Sequence, residues 1–205
     1  AWPAYPSKRI DYNFVRPDGT LVLANDKRLD ITNLGISGTP QNVQIAPVDG
    51  KFVMTFKVIH NGGYFSGYSQ AYFAVFNNDG TVYRSPRRVS TLGKTHVILG
   101  RITALHDGRF VIPFRTNNRA KAVLLSKTFI QITNEFTVET AAGTSLEPDF
   151  CQSGDNEGFF TNSRSDTTGG HCIIRKFAIP DCSTFYECLG SVSTRVTSNK
   201  ILDHH

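Results

Sequence analysis

Short apolar, strand-like runs alternate with clusters of turn residues along the whole chain, and no convincing amphipathic helix interrupts them. This pattern predicts seven hairpins, or about fourteen strands. The predicted hairpins pair 9–15 with 20–24, 42–47 with 51–59, 70–76 with 81–83 and 87–90, 97–105 with 109–115, 122–133 with 136–140, 148–152 with 159–162, and 171–178 with 185–192. We therefore expect an all-β fold.

Four of the predicted turns carry an Asp-Gly pair, at residues 18–19, 49–50, 79–80 and 107–108. Asp-Gly between two apolar runs predicts a primed hairpin turn, which requires a positive φ at both central residues. The segment 48–56 returns as 105–114, with an apolar residue, Asp-Gly, and then Phe-Val-x-x-Phe. These aspartates are thereby interpreted as turn residues and not as catalytic acids.

Paired hairpins build four-stranded units that end alike, at 32–35, 91–93 and 141–143. One β-repeat domain, 1–205, is predicted, with a half unit at 8–35 and full units at 36–93, 94–143 and 144–198. Their length and content are typical of a propeller-like array of blades. Three and a half repeats leave three explanations open: the chain is a fragment, it closes imperfectly as four blades, or copies join through strand edges at 8–35 and 171–192.

The segments 43–56 and 72–80 resemble a family of propeller-type repeats of about fifty residues, found in large secreted and cell-surface proteins of bacteria and protists. Its repeats carry a "DG-F-V-V-x-W" hairpin followed by a "Y-x-x-x-x-F-D-x-x-G" hairpin. The likeness covers 36–93 well, 94–143 less well and 144–198 weakly, and Phe56 and Phe114 stand where the family has Trp. The resemblance implies an adhesion, matrix or recognition module and not an enzyme.

Composition adds few constraints on function. The 205 residues are 40% hydrophobic, and the absence of an apolar run of about 18 residues predicts that no segment spans a membrane. The net charge is +5, and the dense basic cluster is 84–88. A solvated outer strand is the favoured interpretation, and Arg84, Arg87 and Arg88 are the candidates for binding an anionic glycan. Nucleic acid is not the expected partner.

All four cysteines, Cys151, Cys172, Cys182 and Cys188, lie in the last third of the chain. An even number in one region favours disulfides over free thiols or a zinc site, and hence an extracellular or cell-surface location. The simplest of three connectivities pairs Cys151 with Cys172 and Cys182 with Cys188.

No pattern selects catalytic chemistry. The carboxylates form no recognisable pair for glycoside hydrolysis, and no G-x-S-x-G elbow is present. The histidines are scattered without H-x-H or H-E-x-x-H spacing, and no phosphate-binding glycine loop occurs. We therefore predict no catalytic residue, no metal, no cofactor and no enzymatic activity.

The excursion 59–70 carries the binding signal, because it sets three aromatic residues among small polar ones. Such a group suits a sugar ring, which has an apolar face and a polar edge, and it equally suits a protein contact or packing on a neighbouring segment. The predicted ligand-binding residues are Tyr64, Phe65, Tyr68 and Gln70. The expected function is adhesion or recognition of a glycan or protein, and the alternative is a structural subunit of a homo-polymeric assembly.

Overall fold

The computed structural model describes residues 2–3, 8–16, 18–32, 36–91, 93–117, 119–138, 144–145, 148–166, 169–179 and 199–203, with the backbone alone described at 2–3, 144–145, 162–166, 169–173 and 199–203. Over this part of the chain the secondary structure is seventeen β-strands and a three-residue 3₁₀ helix, Gly63–Phe65. The prediction of an all-β fold is confirmed. The chain divides into two compact units, 1–96 (the first unit) and 97–205 (the second unit).

The first unit contains two antiparallel sheets. The three-stranded sheet has the order β1-β2-β3, made of β1 (Trp2–Pro3), β2 (Arg9–Tyr12) and β3 (Lys27–Asp30). The four-stranded sheet follows chain order, made of β4 (Thr39–Val48), β5 (Lys51–Ile59), β6 (Ser69–Phe76) and β7 (Val82–Arg88). Every residue of β6 is buried, so this strand has both faces covered.

The second unit contains two five-stranded antiparallel sheets. The earlier one comprises β8 (Val97–Leu99), β9 (Thr103–Ala104), β10 (Phe110–Thr116), β11 (Arg119–Leu125) and β12 (Phe136–Thr137), and both β8 and β9 pair with β10. The later one comprises β13 (Thr144–Ser145), β14 (Asp149–Gly154), β15 (Glu157–Asp166), β16 (Gly169–Ala178) and β17 (Asn199–Asp203). There β13 and β14 both pair with β15, followed by β16 and β17.

Alternation along the strands builds the core of the first unit. Met54, Phe56 and Val58 of β5 share one face with Tyr72, Ala74 and Phe76 of β6, and this face packs on Ile10, Tyr12, Leu29 and Ile31. Fully burying a side chain such as Phe56 contributes about 1.5–3 kcal/mol. The Tyr12 hydroxyl is satisfied in this core, because it donates to the Gly80 carbonyl at 2.9 Å.

Phenylalanine rings dominate the core of the second unit. Phe136 of β12 stacks on Phe177 of β16 at 4.9 Å between centroids, and Phe160 of β15 lies 5.4 Å from Phe177 and 4.7 Å from Phe150. The two sheets of this unit therefore share one aromatic core.

The predicted strand 97–105 is interrupted in the structure, where β8 ends at Leu99 and β9 begins at Thr103. Gly100 lies so close to the backbone of Pro148 that an added Cβ would overlap it. A glycine at this point allows β14 to approach, and the Thr103 hydroxyl donates to the Phe150 carbonyl at 2.7 Å.

Only one Asp-Gly pair forms the predicted primed turn. Asp49 and Gly50 both have positive φ, 46° and 69°. At 18–19, 79–80 and 107–108 the prediction is wrong, because the glycine alone has a positive φ. These turns are one residue longer: Asn77 N donates to Thr81 O and Gly80 N donates to Asn77 O, both at 2.9 Å, and the other two repeat this pattern. The longer loop places the Asp side chain where it accepts from the backbone N–H two residues on.

A fifth turn lies earlier in the chain than the sequence predicted. The predicted strand 122–133 ends instead at Leu125, and the chain turns at 126–130 with the same bonding, from Ser126 N to Ile130 O at 2.8 Å. Phe129 takes the glycine position with φ of 61°, an uncommon conformation for a bulky residue. Its ring is buried 5.7 Å from that of Phe110, and this burial offsets the backbone strain.

The predicted edge at 171–192 is also corrected. Residues 171–175 of β16 pair with β15 on one side and β17 on the other, so this part of the predicted edge is not free, and 180–192 lie outside the described residues. In the three-stranded sheet β3 is an outer strand. The repeat boundaries, the number of blades and the joining of copies stay predictions.

The proposed disulfide between Cys151 and Cys172 is wrong. Cys151 is a free, exposed cysteine. It is opposite Phe159, which is opposite Lys176, and Cys172 lies four residues further along β16. Two strand spacings and four residues separate the two Cα atoms by roughly 16 Å, whereas a disulfide requires less than about 7 Å. Cys182 and Cys188 lie outside the described residues.

Among the described residues, we find no helix with the length and apolar character needed to cross a membrane.

Candidate functional site

The connection between β5 and β6 forms a closed loop at 60–68, which we call the aromatic loop. His60 N donates to Tyr68 O at 2.9 Å, and Gly67 N donates to His60 O at 2.8 Å. The two ends of the loop are therefore held together by backbone hydrogen bonds at the end of the β5–β6 hairpin, and most residues between them are exposed.

Two of the predicted ligand-binding residues lie on the 3₁₀ helix of this loop. Tyr64 is 73% exposed, whereas Phe65 is half-buried. The two rings meet edge to face at 5.1 Å, and Phe65 also lies 6.2 Å from the His60 ring. Phe65 thus packs on the base of the loop and holds Tyr64 outward.

A second segment, 93–96, lies along the aromatic loop. Ser69 N donates to Thr95 O at 2.9 Å, which aligns the two segments. Lys94 Nζ lies 3.9 Å from the centroid of the Tyr64 ring, a cation–π contact, and the Tyr68 and His96 rings are 5.3 Å apart. The sequence predicted the three aromatic residues but not Lys94 or His96.

The assignment of Gln70 as a ligand-binding residue is corrected by its burial. Gln70 is fully buried, its Nε2 donates to Gly93 O at 2.8 Å, and the Ser90 hydroxyl donates to its Oε1 at 3.0 Å. Ser90 Oγ in turn accepts from Ala71 N at 2.9 Å. Both ends of the amide are bonded within the protein, so Gln70 positions segment 93–96 from below.

The three arginines of β7 do not form one group. Arg87 is opposite Phe73 and Arg84 is opposite Val75, and these two positions share a face of the sheet. Arg88 is opposite Tyr72, which belongs to the core face. Burial raises the pKa of the Tyr72 hydroxyl, and the charge of Arg88 partly opposes that rise. Of the three arginines predicted to bind an anion, Arg84 and Arg87 therefore share a face of the sheet, and Arg88 lies on the other face.

Two further groups accompany these arginines. Lys51 Nζ lies 4.3 Å from the centroid of the Tyr83 ring, and the Arg84 guanidinium carbon lies 6.0 Å from it. Tyr83 is 47% exposed. The sequence did not predict that Lys51 and Tyr83 lie beside these arginines. Which side chains of β5 and β7 share a face of the sheet depends on the irregular pairing of β6 with β7, and the residues themselves do not reveal that pairing.

The described carboxylates act within turns and between strands. The Thr81 hydroxyl and then the Thr81 N–H donate to Asp79 and lower the pKa of that carboxyl, and Thr20 does the same for Asp18. In the densest predicted group, Asp149 accepts from Arg101 N, Asp155 lies near His106, and Glu157 pairs with Lys176. Within the described ranges no three His, Cys, Asp or Glu side chains are arranged to hold a metal ion.

No family model and no curated protein matches the sequence. Among solved structures, the chain is similar to the α-L-arabinanase of Cellvibrio cellulosa, with a TM-score of 0.45 and 12% identity, over 85% of this chain and 68% of that one. A TM-score of 0.45 is too low to assign the fold or a function by likeness, so the architecture rests on the observed sheets.

That structure is of an enzyme. The prediction that this chain has no enzymatic activity is therefore withdrawn, and this likeness assigns no activity to the chain.

Proposed function

We propose that this chain recognises a carbohydrate through the aromatic loop, with Tyr64 as the platform on which a sugar ring stacks. The observation that carries the proposal is an exposed tyrosine on a closed loop, backed by Phe65 and covered in part by Lys94. A tyrosine ring matches the apolar C–H face of a sugar. The Lys94 ammonium has three N–H donors, which suit sugar hydroxyls at the edge of the ring.

The size of the surface favours a small ligand over a protein. The aromatic loop and segment 93–96 offer about a dozen residues, whereas a stable protein interface uses roughly 20–30 residues on each side. A single sugar ring needs only one aromatic face and a few polar groups.

A wider role at a cell surface or in a matrix, and a propeller-like arrangement of the sheets, belong to the same proposal. With Cys151 free, the disulfide argument for an extracellular location loses its first pair. Location and adhesion now rest on the resemblance of segments 43–56 and 72–80 to repeats of secreted and cell-surface proteins.

A glycan array tests the platform directly. We expect the wild-type chain to bind a restricted set of glycans and the Tyr64→Ala variant to lose about tenfold in affinity, which corresponds to roughly 1.4 kcal/mol. Leu21→Ala is the control, since it removes another exposed apolar side chain of the first unit that lies outside the loop. Unchanged binding by Tyr64→Ala would remove the aromatic loop as the site.

Incubation of the bound glycans with the protein, followed by mass spectrometry of the sugars, shows whether a ligand is also cleaved. Intact sugars support recognition alone, and release of shorter sugars assigns the loop to a substrate-binding role.

A further inference from the structure

We propose that Lys51, Tyr83, Arg84 and Arg87 form a second binding surface, which takes a polysaccharide bearing carboxylate groups. Three residues of this surface, the β7 strip, lie on β7, the outer strand of the four-stranded sheet, and Lys51 lies on β5. The strip shares no residue with the aromatic loop. It goes beyond the function proposed above.

Unpaired positive charge is the first observation. Neither Arg84 nor Arg87 forms an ion pair with an acidic residue in the described part of the chain. Arg84 Nε is shielded from solvent and has no hydrogen-bond partner in the same part of the chain. An anionic ligand would instead reach the guanidinium groups at the half-buried Arg84 and the exposed Arg87, where it can form charge-assisted hydrogen bonds.

Asp49 and Asp79, the acids closest to the strip along the chain, form no ion pair with its residues in the part of the chain that the structure describes. Asp79 lies in the turn before β7, and its Oδ1 accepts from the N–H and the hydroxyl of Thr81 at 2.9 and 2.7 Å. Lys51 Nζ donates to the side-chain oxygen of Asn77 at 3.2 Å, a neutral acceptor. The strip therefore keeps its positive charge.

The tyrosine distinguishes a sugar polymer from a simple anion. Tyr83 has Lys51 and Arg84 as neighbours and remains 47% exposed, so an apolar ring face lies beside two cations. A uronic acid presents the same combination, an apolar ring face with a carboxylate at its edge. The planar guanidinium fork of arginine matches a carboxylate with two parallel hydrogen bonds.

The small number of cationic groups favours one charge for each sugar and not a dense polyanion. Arg84 and Arg87 are opposite Val75 and Phe73, two residues apart on β6, which separates them by roughly 7 Å along the sheet. Two guanidinium groups and one ammonium over this length suit a polymer with one carboxylate on each ring, whereas nucleic acid is bound by longer basic stripes with several aromatic residues.

The test compares oligogalacturonate with its neutral methyl ester by calorimetry at low salt. We expect the acid to bind and the ester not to bind. Arg87→Gln should weaken binding about fivefold to tenfold, in the range of a charge-assisted hydrogen bond at a surface. Arg88→Gln is the matched control, because it removes the same charge from the next residue on the opposite face, and it should change affinity less than about twofold.

Three outcomes would overturn the proposal: equal binding of the methyl ester, equal loss in Arg87→Gln and Arg88→Gln, or tighter binding of a single-stranded DNA oligonucleotide that also depends on Arg87. Tyr64→Ala separates the two surfaces, because it should leave oligogalacturonate binding unchanged. Arg84→Gln and Tyr83→Leu should also weaken oligogalacturonate binding. If Arg84→Gln fails to fold, Arg87→Gln and Tyr83→Leu carry the test alone, since both residues are exposed.

Discussion

In the first unit the aromatic loop holds Tyr64 in solvent, whereas in the second unit Phe136, Phe160 and Phe177 pack on one another in a core. The charges differ in the same way. Residues 1–96 hold eleven Lys and Arg against six Asp and Glu, a net charge of +5, and residues 97–205 hold eleven of each. Similar hairpins thus pack a core in both units, and in the first unit they also display aromatic and basic groups.

The largest expected effect comes from the packed aromatic residues. Phe160→Ala removes a fully buried ring that contacts Phe150 and Phe177, and should lower the free energy of unfolding of the second unit by about 3–5 kcal/mol. Tyr64→Ala in the first unit should change stability by less than about 0.5 kcal/mol. Urea titration of both variants measures the two losses in the free energy of unfolding, and losses of similar size would contradict this difference between the units.

The turn at 126–130 comes next. Phe129→Ala loses the buried ring and keeps the positive φ, so we expect a loss of about 3 kcal/mol. Phe129→Gly loses the ring and also the strain, so it should be more stable than the alanine variant by about 1 kcal/mol. If the alanine variant were instead more stable than the glycine variant, which is the usual order, the backbone at Phe129 would not be strained.

Two buried or half-buried glutamines allow a matched comparison of the units. Gln70→Leu leaves Gly93 O and the Ser90 hydroxyl without their partners in a fully buried place, and should cost about 1–3 kcal/mol and weaken glycan binding at the aromatic loop. Gln152 accepts from His106 N at 2.7 Å in a more exposed place, so Gln152→Leu should cost less than about 1 kcal/mol and leave glycan binding unchanged. Thermal melts and the glycan array measure both.

The smallest expected effect is on stability at low pH. Hydrogen bonds from Thr81 hold the folded-state pKa of Asp79 below its unfolded value, so their contribution is present above about pH 4 and is lost as the pH falls through the folded-state pKa. Asp79→Asn should lower the urea midpoint at pH 7, and the difference from wild type should narrow at pH 3. Thr128→Val in the matching turn of the second unit removes a bond to Ser126 and should act equally at both pH values.

The sequence predicted those parts of the fold that are determined by neighbouring residues, and it missed those that depend on residues far away in the chain. The β4–β5 hairpin was predicted closely, because Asp49-Gly50 needs nothing beyond its own backbone. The turn at 126–130 was missed, because a phenylalanine takes the glycine place and only the distant ring of Phe110 explains why. The disulfide failed for a related reason, since an even number of cysteines contains no information about register.

The arrangement of residues around the aromatic loop was predicted in part, and its role as a binding site stays a proposal. The exposure of Tyr64 follows from its polar neighbours along the chain, which the sequence displays. Lys94 and His96 reach the loop only because β6 and β7 return the chain to Ser69, and Gln70 is buried because that return covers it. Neither contact leaves a signal in the residues near the loop.

The bond from the Tyr12 hydroxyl to Gly80 O spans 68 residues, and it bears on how the protein is made. The strand that carries Tyr12 leaves the ribosome long before the turn that accepts its hydroxyl. At about 5–20 residues per second the delay is roughly 3–14 s. During that time the apolar side chains of β2 and β3 lack the β5 and β6 residues on which they later pack. The nascent chain therefore exposes these apolar side chains until the segment that ends at residue 80 emerges.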